Sequence, residues 1–324
     1  MGGTTHAACR RKLGGFTEAR TLRRSYGQLH MHLDLDQRPR PIADDPRERL
    51  LAAMPVAERR LQLTGISTAV LEGGDGPPVV LLHGPGAMAA EWMRVIPDLV
   101  ATHRVVAPDL PGHGASEVTG GRLDADRVLG WLGELIERTC ATPPALVGHV
   151  LGGAIAARLA SGRGDRLSGL VLVNSFGLAR FRPPPSFAFA LMRHVARPTE
   201  RSFERLWRGC AADLDDLRGQ MGEQWESLEA YALDLARTPS RKSAMRVLMR
   251  ELGVPAIPPT DLERIAVPTT LIWGRYDRVL RLRIAEAASA RYGWPLRVVE
   301  NAGNDPNLEQ PEAFLQALRP ALRA

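Results

Sequence analysis

A glycine-bracketed turn after a short apolar run is the stretch of this chain with the clearest chemical meaning. Residues 145–147 are apolar, and the motif Gly148-His149-Val150-Leu151-Gly152-Gly153 follows them, ahead of a run of small residues. The spacing G-x-S-x-G is typical of a nucleophile elbow, which holds a serine on a strained turn between a strand and a helix. Here the central position is Val150, whose side chain has no group that can attack a substrate. The pattern therefore predicts the frame of a catalytic site without its reacting atom.

Polar segments follow three other apolar runs in the same way. They are residues 83–86, 274–277 and 300–306, which contain His83, Asp277 and Asn304. The carboxyl ends of parallel strands meet at one edge of a sheet, and ligands bind outside that edge. We therefore expect these three segments and the turn at Val150 to lie close together.

Predicted strands and helices alternate along most of the chain. Buried or alternating apolar runs predict strands at residues 61–63, 66–71, 79–82, 104–107, 145–149, 170–173, 269–274 and 296–300. Helices are predicted at residues 45–53, 91–99, 128–136 and 154–160 and from residue 311 onward. This alternation is typical of an α/β fold, with a mostly parallel central sheet flanked by helices.

The alternation stops between residues 179 and 259, where a segment rich in Arg, Leu, Met, Phe and Trp is expected to form several helices. Inserted over the carboxyl ends of the strands, these helices would form a cap. We therefore predict a basic, flexible N-terminal extension over residues 1–55, an α/β core over 56–178 and 260–324, and a helical cap over 179–259.

The composition argues against nucleic acids and membranes as partners. Six Arg and Lys residues against one Glu lie within residues 1–24, so nearly all of the net charge of +6 belongs to the N-terminus, despite a pI near 9.8. The rest of the chain has little net field to attract a polyanion. No run approaches the roughly 18 apolar residues of a membrane span. The N-terminus also lacks the apolar segment of a secretory signal, so we expect a cytoplasmic protein.

The cysteines and histidines show no spacing typical of metal ligands. Cys9, Cys140 and Cys210 are far apart, as expected for free thiols in a reducing compartment. We therefore expect neither a metal nor a cofactor, and leave open whether the chain forms a homo-oligomer.

Taken together, these motifs resemble those of the α/β-hydrolase fold superfamily, in the same order, over about residues 60–322. The pair His83-Gly84 resembles the HG motif beside the oxyanion hole, and residues 109–116 match the DxxGxGxS turn. Residues 148–153 match GHSxGG except at Val150. The segments with Asp277 and Asn304 resemble those that carry the acid and the histidine. The resemblance implies an α/β-hydrolase fold with a helical cap, and it implies hydrolysis as the ancestral chemistry.

The resemblance also shows which parts of the triad are missing. Acyl transfer needs a nucleophile, a base, an acid that orients the base, and donors to the oxyanion. Asp277 occupies the acid position, but Val150 replaces the nucleophile and Asn304 the base, and an amide cannot accept and return a proton. Leu151 retains the backbone N–H of one oxyanion donor, whereas Pro85, at the second, has none. The triad is therefore expected to be degenerate.

Other residues at this edge could supply replacement chemistry, and each has a structural alternative. His149 could act as a base or pack beneath the turn, and Ser175 could attack a substrate or cap a loop. Asp305 could take the place of Asn304 if the loop shifted by one residue. Asp277 could be a general base or a relic that caps a turn. Substrate contacts are expected from His83, Gly84, Pro85, His149, Leu151 and Ser175.

Large apolar side chains in the predicted cap indicate an apolar pocket between the cap and the core. Two hypotheses follow. In the first, the protein is an enzyme with altered chemistry that uses Asp277 on a small hydrophobic molecule. In the second, it is a non-catalytic pseudo-hydrolase that binds a ligand or another protein.

Overall fold

One sheet organises the protein, whose computed structural model describes residues 45–323. Within those residues the sheet has nine strands. Eight of them pair in the order β1-β2-β4-β3-β6-β7-β8-β9, and the ninth, β5, pairs with the start of β2. The strands are β1 (Ala57–Leu63), β2 (Ile66–Gly73), β3 (Pro78–Leu82), β4 (Arg104–Pro108), β5 (Glu117–Val118), β6 (Ala145–His149), β7 (Gly169–Val173), β8 (Thr269–Gly274) and β9 (Leu296–Val299). The pairs β1–β2, β2–β4 and β2–β5 are antiparallel, and the pairs from β4 to β9 are parallel.

Helices connect the strands and cover the sheet. They are α1 (Pro46–Ala52), α2 (Ile96–Leu99), α3 (Ala125–Thr139), α4 (Leu151–Arg163), α5 (Pro185–Ala196), α6 (Glu200–Cys210), α7 (Leu214–Met221), α8 (Glu223–Arg237), α9 (Pro239–Leu248), α10 (Pro259–Leu262), α11 (Arg283–Tyr292), α12 (Pro306–Glu309) and α13 (Pro311–Leu318). The predicted α/β-hydrolase fold, a mostly parallel sheet flanked by helices, is confirmed.

The central strands are buried on both faces because helices pack on each side. Val80 and Leu82 of β3 face one apolar cluster, which includes Trp131 of α3 and residues of α4. Val79 and Leu81 of the same strand face the other cluster, which includes residues of α13. Alternate side chains of one strand thus enter opposite layers, as the period of two in a strand requires.

Six helices, α5–α10, and a π-helical turn at Met249–Gly253 lie between β7 and β8, and the first five of these helices fall within residues 179–259. This is where the sequence predicts a helical insertion. The helix predicted at residues 91–99 differs, because the structure has a 3₁₀ turn at Ala89–Trp92 and then the short α2. Pro97 has no backbone N–H to donate to residue 93, so it is accommodated in the first turn of α2 and not within one continuous helix.

Helix α1 begins as the sequence predicts. Asp45 is its N-cap and accepts a hydrogen bond from Arg47 N at 2.9 Å, and Pro46 occupies the first turn. Leu50 is fully buried against the body of the protein. This helix therefore packs on the core, although it lies within the segment 1–55 for which the sequence predicts an extension. The part of that segment before Asp45 lies outside the described residues.

None of the helices formed by residues 45–323 is long and apolar enough to cross a membrane.

Candidate active site

The turn at Val150 keeps the geometry of a nucleophile elbow. Val150 lies between the end of β6 and the start of α4, with φ of 47° and ψ of −102°. A positive φ is a genuine outlier for a β-branched residue. The backbone on both sides holds it, because Val150 N donates to Val173 O at 3.0 Å and Val150 O accepts from Phe176 N at 3.1 Å. The strained turn is therefore present without its serine.

Two glycines allow the close packing at this turn. A Cβ atom on Gly148 would lie 2.4 Å from Gly152 O, and one on Gly152 would lie 2.4 Å from Leu82 O. Real Cβ atoms do not approach backbone atoms so closely, and only glycine fits at both positions. The motif thus fixes the path of the chain from β6 into α4.

Asp277 follows β8, and each of its two carboxylate oxygens accepts hydrogen bonds from within the protein. Its Oδ1 accepts hydrogen bonds from Val279 N at 2.7 Å and Leu280 N at 2.8 Å. Its Oδ2 accepts from Asn174 Nδ2 at 2.5 Å and from Asn304 Nδ2 at 2.9 Å. Burial raises the pKa of Asp277, and these hydrogen bonds oppose the change. The carboxylate is therefore fully occupied within the fold, which argues against the expectation that it acts as a base.

Asn304, at the position predicted for the base, directs its side-chain amide as a donor toward Asp277. Its side-chain amide binds Asp277, and its backbone N–H donates to Cys210 O at 2.9 Å. Its carbonyl oxygen lies 2.7 Å from His149 Nε2, which must donate because a carbonyl oxygen only accepts. Asn304 thus makes a hydrogen bond to Asp277, but its amide cannot accept a proton as a histidine would.

Glu91 is a site residue that sequence reasoning missed. Its side chain is buried, and Oε2 accepts a hydrogen bond from Gly84 N at 3.0 Å. Its Oε1 lies 2.6 Å from His149 Nδ1. Burial opposes a charge on His149, but the Glu91 carboxylate outweighs it and raises the pKa of His149 to about 9. No local pattern indicates this pair, because only the topology brings the two residues together.

Asp305 lies beside that pair. Its backbone N–H donates to Glu309 Oε1 at 3.1 Å, but its carboxyl group forms no hydrogen bond with any residue from 45 to 323. Burial raises the pKa of Asp305 to about 8, the positive charge of His149 opposes this, and the nearby carboxylate of Glu91 adds to it. One ligand-type atom each of Glu91, His149 and Asp305 lies within 4.8 Å of the other two. These are residues that could hold a metal ion.

A cavity of about 280 Å³ lies above the turn, between the sheet edge and the inserted helices. Its polar end contains Glu91, His149, Asn304 and Asp305. Most of its wall is apolar, and the lining includes Val150, Phe176, Phe181, Phe187, Leu191, Val195, Phe203, Leu206, Trp207, Leu228, Leu235, Met245, Met249 and Val279. Cys210 also lines it, but burial raises the pKa of its thiol well above the ordinary value, which disfavours the reactive thiolate.

The structure brings some predicted site residues to this cavity and leaves others outside it. Residues at its surface are Gly84, Pro85, His149, Val150 and Asn304, whereas His83, Leu151, Ser175 and Asp277 are not among those that line it. Ser175 is buried and donates to Phe176 O at 2.8 Å, so its hydroxyl serves the loop. Leu151 is fully buried at the start of α4.

His83 is buried beneath the same loop. Its Nδ1 donates to Gly84 O at 2.8 Å, and its Nε2 accepts from Leu110 N at 2.9 Å. Burial lowers the pKa of His83 to about 3, with a contribution from His113. The neutral imidazole therefore links the loop after β3 to the loop after β4.

Comparison with known proteins places this geometry in context. The chain is 32% identical over 244 residues to the magnesium-chelatase 30 kDa subunit of Rhodobacter capsulatus, which covers 73% of this chain and 84% of that protein. It is 27% identical over 266 residues to the pimeloyl-[acyl-carrier protein] methyl ester esterase of Aeromonas hydrophila, which covers 78% of this chain and 98% of the esterase.

A solved structure agrees with these sequence matches. The 2-hydroxy-6-oxo-6-phenylhexa-2,4-dienoate hydrolase from Rhodococcus sp. strain RHA1 is similar with a TM-score of 0.72 and 27% identity, covering 83% of this chain and 99% of the hydrolase. The profile of the alpha/beta hydrolase family matches residues 79–317. The chain therefore belongs to the alpha/beta hydrolase family.

Proposed function

We propose that this protein binds a small hydrophobic molecule in the cavity above Val150 and does not hydrolyse esters through a catalytic triad. The observation that carries the proposal is the cavity itself, whose wall is largely apolar. Val150, at the nucleophile position, and Asn304, at the base position, both line it. A hydrolase of this family would present a hydroxyl and an imidazole at those two places.

The chemistry supports binding over hydrolysis. Loss of the nucleophile or the base alone costs on the order of 10⁶ in turnover in a serine hydrolase. Two of the candidate replacements are occupied elsewhere, because Ser175 donates to a backbone carbonyl and Asp277 accepts four hydrogen bonds. Reaction through Asp277 is therefore less well supported than binding alone.

The inserted helices support the same proposal as a cap. Helices α5, α6, α8 and α9 contribute apolar side chains to the cavity wall, opposite the turn at Val150. A molecule held between the two layers would lose most of its contact with water, which favours an apolar ligand. We therefore assign the region 179–259 the role of a cap over the binding site.

Two measurements on the purified full chain test this function. We expect the hydrolysis of short- and medium-chain p-nitrophenyl esters to proceed at the buffer rate, and Asp277→Ala to leave that rate unchanged. Robust hydrolysis that is lost in Asp277→Ala would contradict the proposal.

Binding is tested with the apolar dye 1-anilinonaphthalene-8-sulfonate. We expect its fluorescence to increase with the wild type and to fall several-fold with Ala236→Trp, which fills the cavity from α8. Ala287→Trp on the exposed face of α11 is the matched control and should bind the dye as the wild type does. Equal binding by all three proteins would show that the dye does not occupy the cavity.

A second candidate function is that of a subunit of a magnesium chelatase. The observation that favours it is the 32% identity to the 30 kDa subunit of that enzyme in Rhodobacter capsulatus. The protein would then act as a non-catalytic scaffold, with the cavity holding a ligand of the complex. Co-elution of the purified chain with the magnesium-chelatase subunits of its own organism in size-exclusion chromatography tests this role. Separate elution would contradict it.

A further inference from the structure

We propose that Glu91, His149 and Asp305 form a binding site for a single divalent transition-metal ion at the polar end of the cavity. The inference concerns the ion alone and holds whether or not the cavity binds a hydrophobic molecule. It rests on three ligand atoms that the fold gathers from separate elements: a 3₁₀ turn, the end of β6 and the start of α12.

The first support is the burial of the ligand atoms and the lack of a partner for one of the three side chains. Oε1 of Glu91 and Nδ1 of His149 are buried and form an ion pair at 2.6 Å. The carboxyl group of Asp305, in a residue that is only 8% exposed, also has no hydrogen-bond partner within residues 45–323. Buried polar atoms without partners need an explanation, and a site for an ion supplies one.

The second support is the set of contacts behind the ligand atoms. His149 Nε2 donates to Asn304 O, which fixes the ring and leaves Nδ1 as the nitrogen available to a metal. Oε2 of Glu91 accepts from Gly84 N, which leaves Oε1 facing His149 Nδ1, where an ion would replace the proton that the pair shares. Metal-ligating histidines usually donate their other ring N–H to a carbonyl or carboxylate in this way.

The distances and the charge suit a small dication. Ligand atoms bonded to one tetrahedral ion at about 2.1 Å lie about 3.4 Å apart. The Glu91 and His149 atoms, 2.6 Å apart, must therefore separate by about 0.8 Å, and the widest pair, which lies within 4.8 Å, must close by about 1.4 Å at most. The two negative charges of Glu91 and Asp305 would balance the charge of a buried dication. One imidazole with two carboxylates suits Zn²⁺, Co²⁺ or Mn²⁺ better than Mg²⁺ or Ca²⁺, which prefer oxygen ligands.

The position indicates what such an ion would meet. Glu91, His149 and Asp305 all line the cavity, so a coordination position not taken by the protein faces its interior. Three protein ligands with one open position are typical of sites where a metal contacts a substrate or ligand. The ion would bind an oxygen atom at the end of a molecule whose apolar part fills the rest of the cavity.

Metal titration of the untagged full chain tests the site. After chelator treatment, isothermal titration with Zn²⁺ should give one ion per chain that Asp305→Asn removes, and Co²⁺ should give visible absorption bands that the same variant loses. Asp305→Asn, Glu91→Gln and His149→Gln should each weaken this binding at least ten-fold. Because the histidines of the N-terminal segment remain in every protein, only the difference between wild type and variant counts.

The matched control is His113→Gln, which alters another histidine of the cavity lining outside the cluster and should bind Zn²⁺ as the wild type does. Asp305→Asn is the decisive variant because it is the one least expected to disturb the fold. The native Asp305 side chain makes no hydrogen bond within residues 45–323 that the change would break. The circular dichroism of Asp305→Asn should equal that of the wild type. Equal Zn²⁺ affinity of wild type and Asp305→Asn, or no ion bound by the wild type, would leave Glu91 and His149 as a plain ion pair and overturn the proposal.

Discussion

At the scale of single residues, both carboxylate oxygens of Asp277 are satisfied within the fold. Asp277 is buried and accepts two backbone and two amide hydrogen bonds. Asn304 provides one of those amides, in the position where a histidine would place its ring N–H. An amide is thus sufficient to complete the hydrogen bonds of the carboxylate, although an amide cannot accept and return a proton.

Restoring the triad alone is not expected to restore hydrolysis. The double variant Val150→Ser, Asn304→His regains a nucleophile and a base, but Pro85 provides no N–H for the oxyanion. The loss of one oxyanion donor costs roughly 10² to 10³ in kcat. We therefore expect p-nitrophenyl butyrate to be hydrolysed at least 100-fold more slowly than by an ordinary esterase. The addition of Pro85→Gly should raise kcat, and ordinary rates for the double variant would show that Pro85 is not the second donor.

His83 should make the protein sensitive to acid. Its folded-state pKa of about 3 lies below the ordinary value of 6.5, so the neutral form stabilises the fold above pH 6.5 and this contribution is lost as the pH falls toward 3. Between pH 7.5 and 5 the wild type should lose up to about 2 kcal/mol of unfolding free energy through this group. Urea denaturation of wild type and His83→Gln at both pH values measures the difference. A pH dependence that is the same in both proteins would contradict the assignment.

At the scale of elements, the connection from β6 to α4 depends on glycine at particular positions. Gly152 packs against the backbone of Leu82 in the neighbouring strand, and a side chain there would separate α4 from the sheet. A Cβ atom on Gly162, near the end of the same helix, would meet no other group within 4 Å. In α4, packing therefore requires glycine at position 152 but not at position 162.

This contrast gives a paired prediction. Gly152→Ala should destabilise the protein by about 2 kcal/mol or more, because the added methyl group meets a backbone carbonyl that cannot move far. Gly162→Ala should stabilise it by about 0.5 kcal/mol, because alanine favours a helix over glycine. Chemical denaturation of the two variants and the wild type provides the measurement. Similar stabilities for the two variants would show that α4 can shift away from the sheet.

The same scale explains which features could be predicted from the sequence. Strands such as β3 and β6 were predictable because they are short apolar runs followed by polar or glycine-rich turns. The positions of Val150, Asp277 and Asn304 followed from motifs after β6, β8 and β9. Glu91 was not predictable, because its role depends on His149, which only the strand order brings near. The division of the helix at residues 91–99 depends on one proline, which the apolar periodicity did not reveal.

At the scale of the whole molecule, Arg47 of α1 joins three separate parts of the body. Its guanidinium group contacts Glu58 in β1 at 2.7 Å, Asp109 after β4 at 3.0 Å and the hydroxyl of Tyr231 in α8 at 3.1 Å. Asp109 is fully buried and accepts hydrogen bonds from Ala89 N and Ala115 N. The charge of Arg47 therefore compensates a carboxylate that also fixes two loops of the sheet edge.

Removal of this charge should be costly. Arg47→Met leaves the buried Asp109 without its cation, and breaking a buried ion pair in this way costs about 3 kcal/mol or more. The control is Arg319→Met, which breaks an exposed pair with Asp98 and should cost less than about 1 kcal/mol. Urea unfolding followed by circular dichroism compares the two variants. Equal losses would mean that Arg47 contributes no more than a surface charge.

The position of Arg47 also bears on how fast a ligand can be exchanged. Helix α8 carries Tyr231 and forms part of the cavity wall, so any outward movement of this helix pulls on the Arg47 contact. Entry and exit of a ligand by that route would then share a barrier that is set outside the cavity lining, at α1. We expect such a contact to lengthen the residence time of a bound molecule while leaving its equilibrium affinity nearly unchanged.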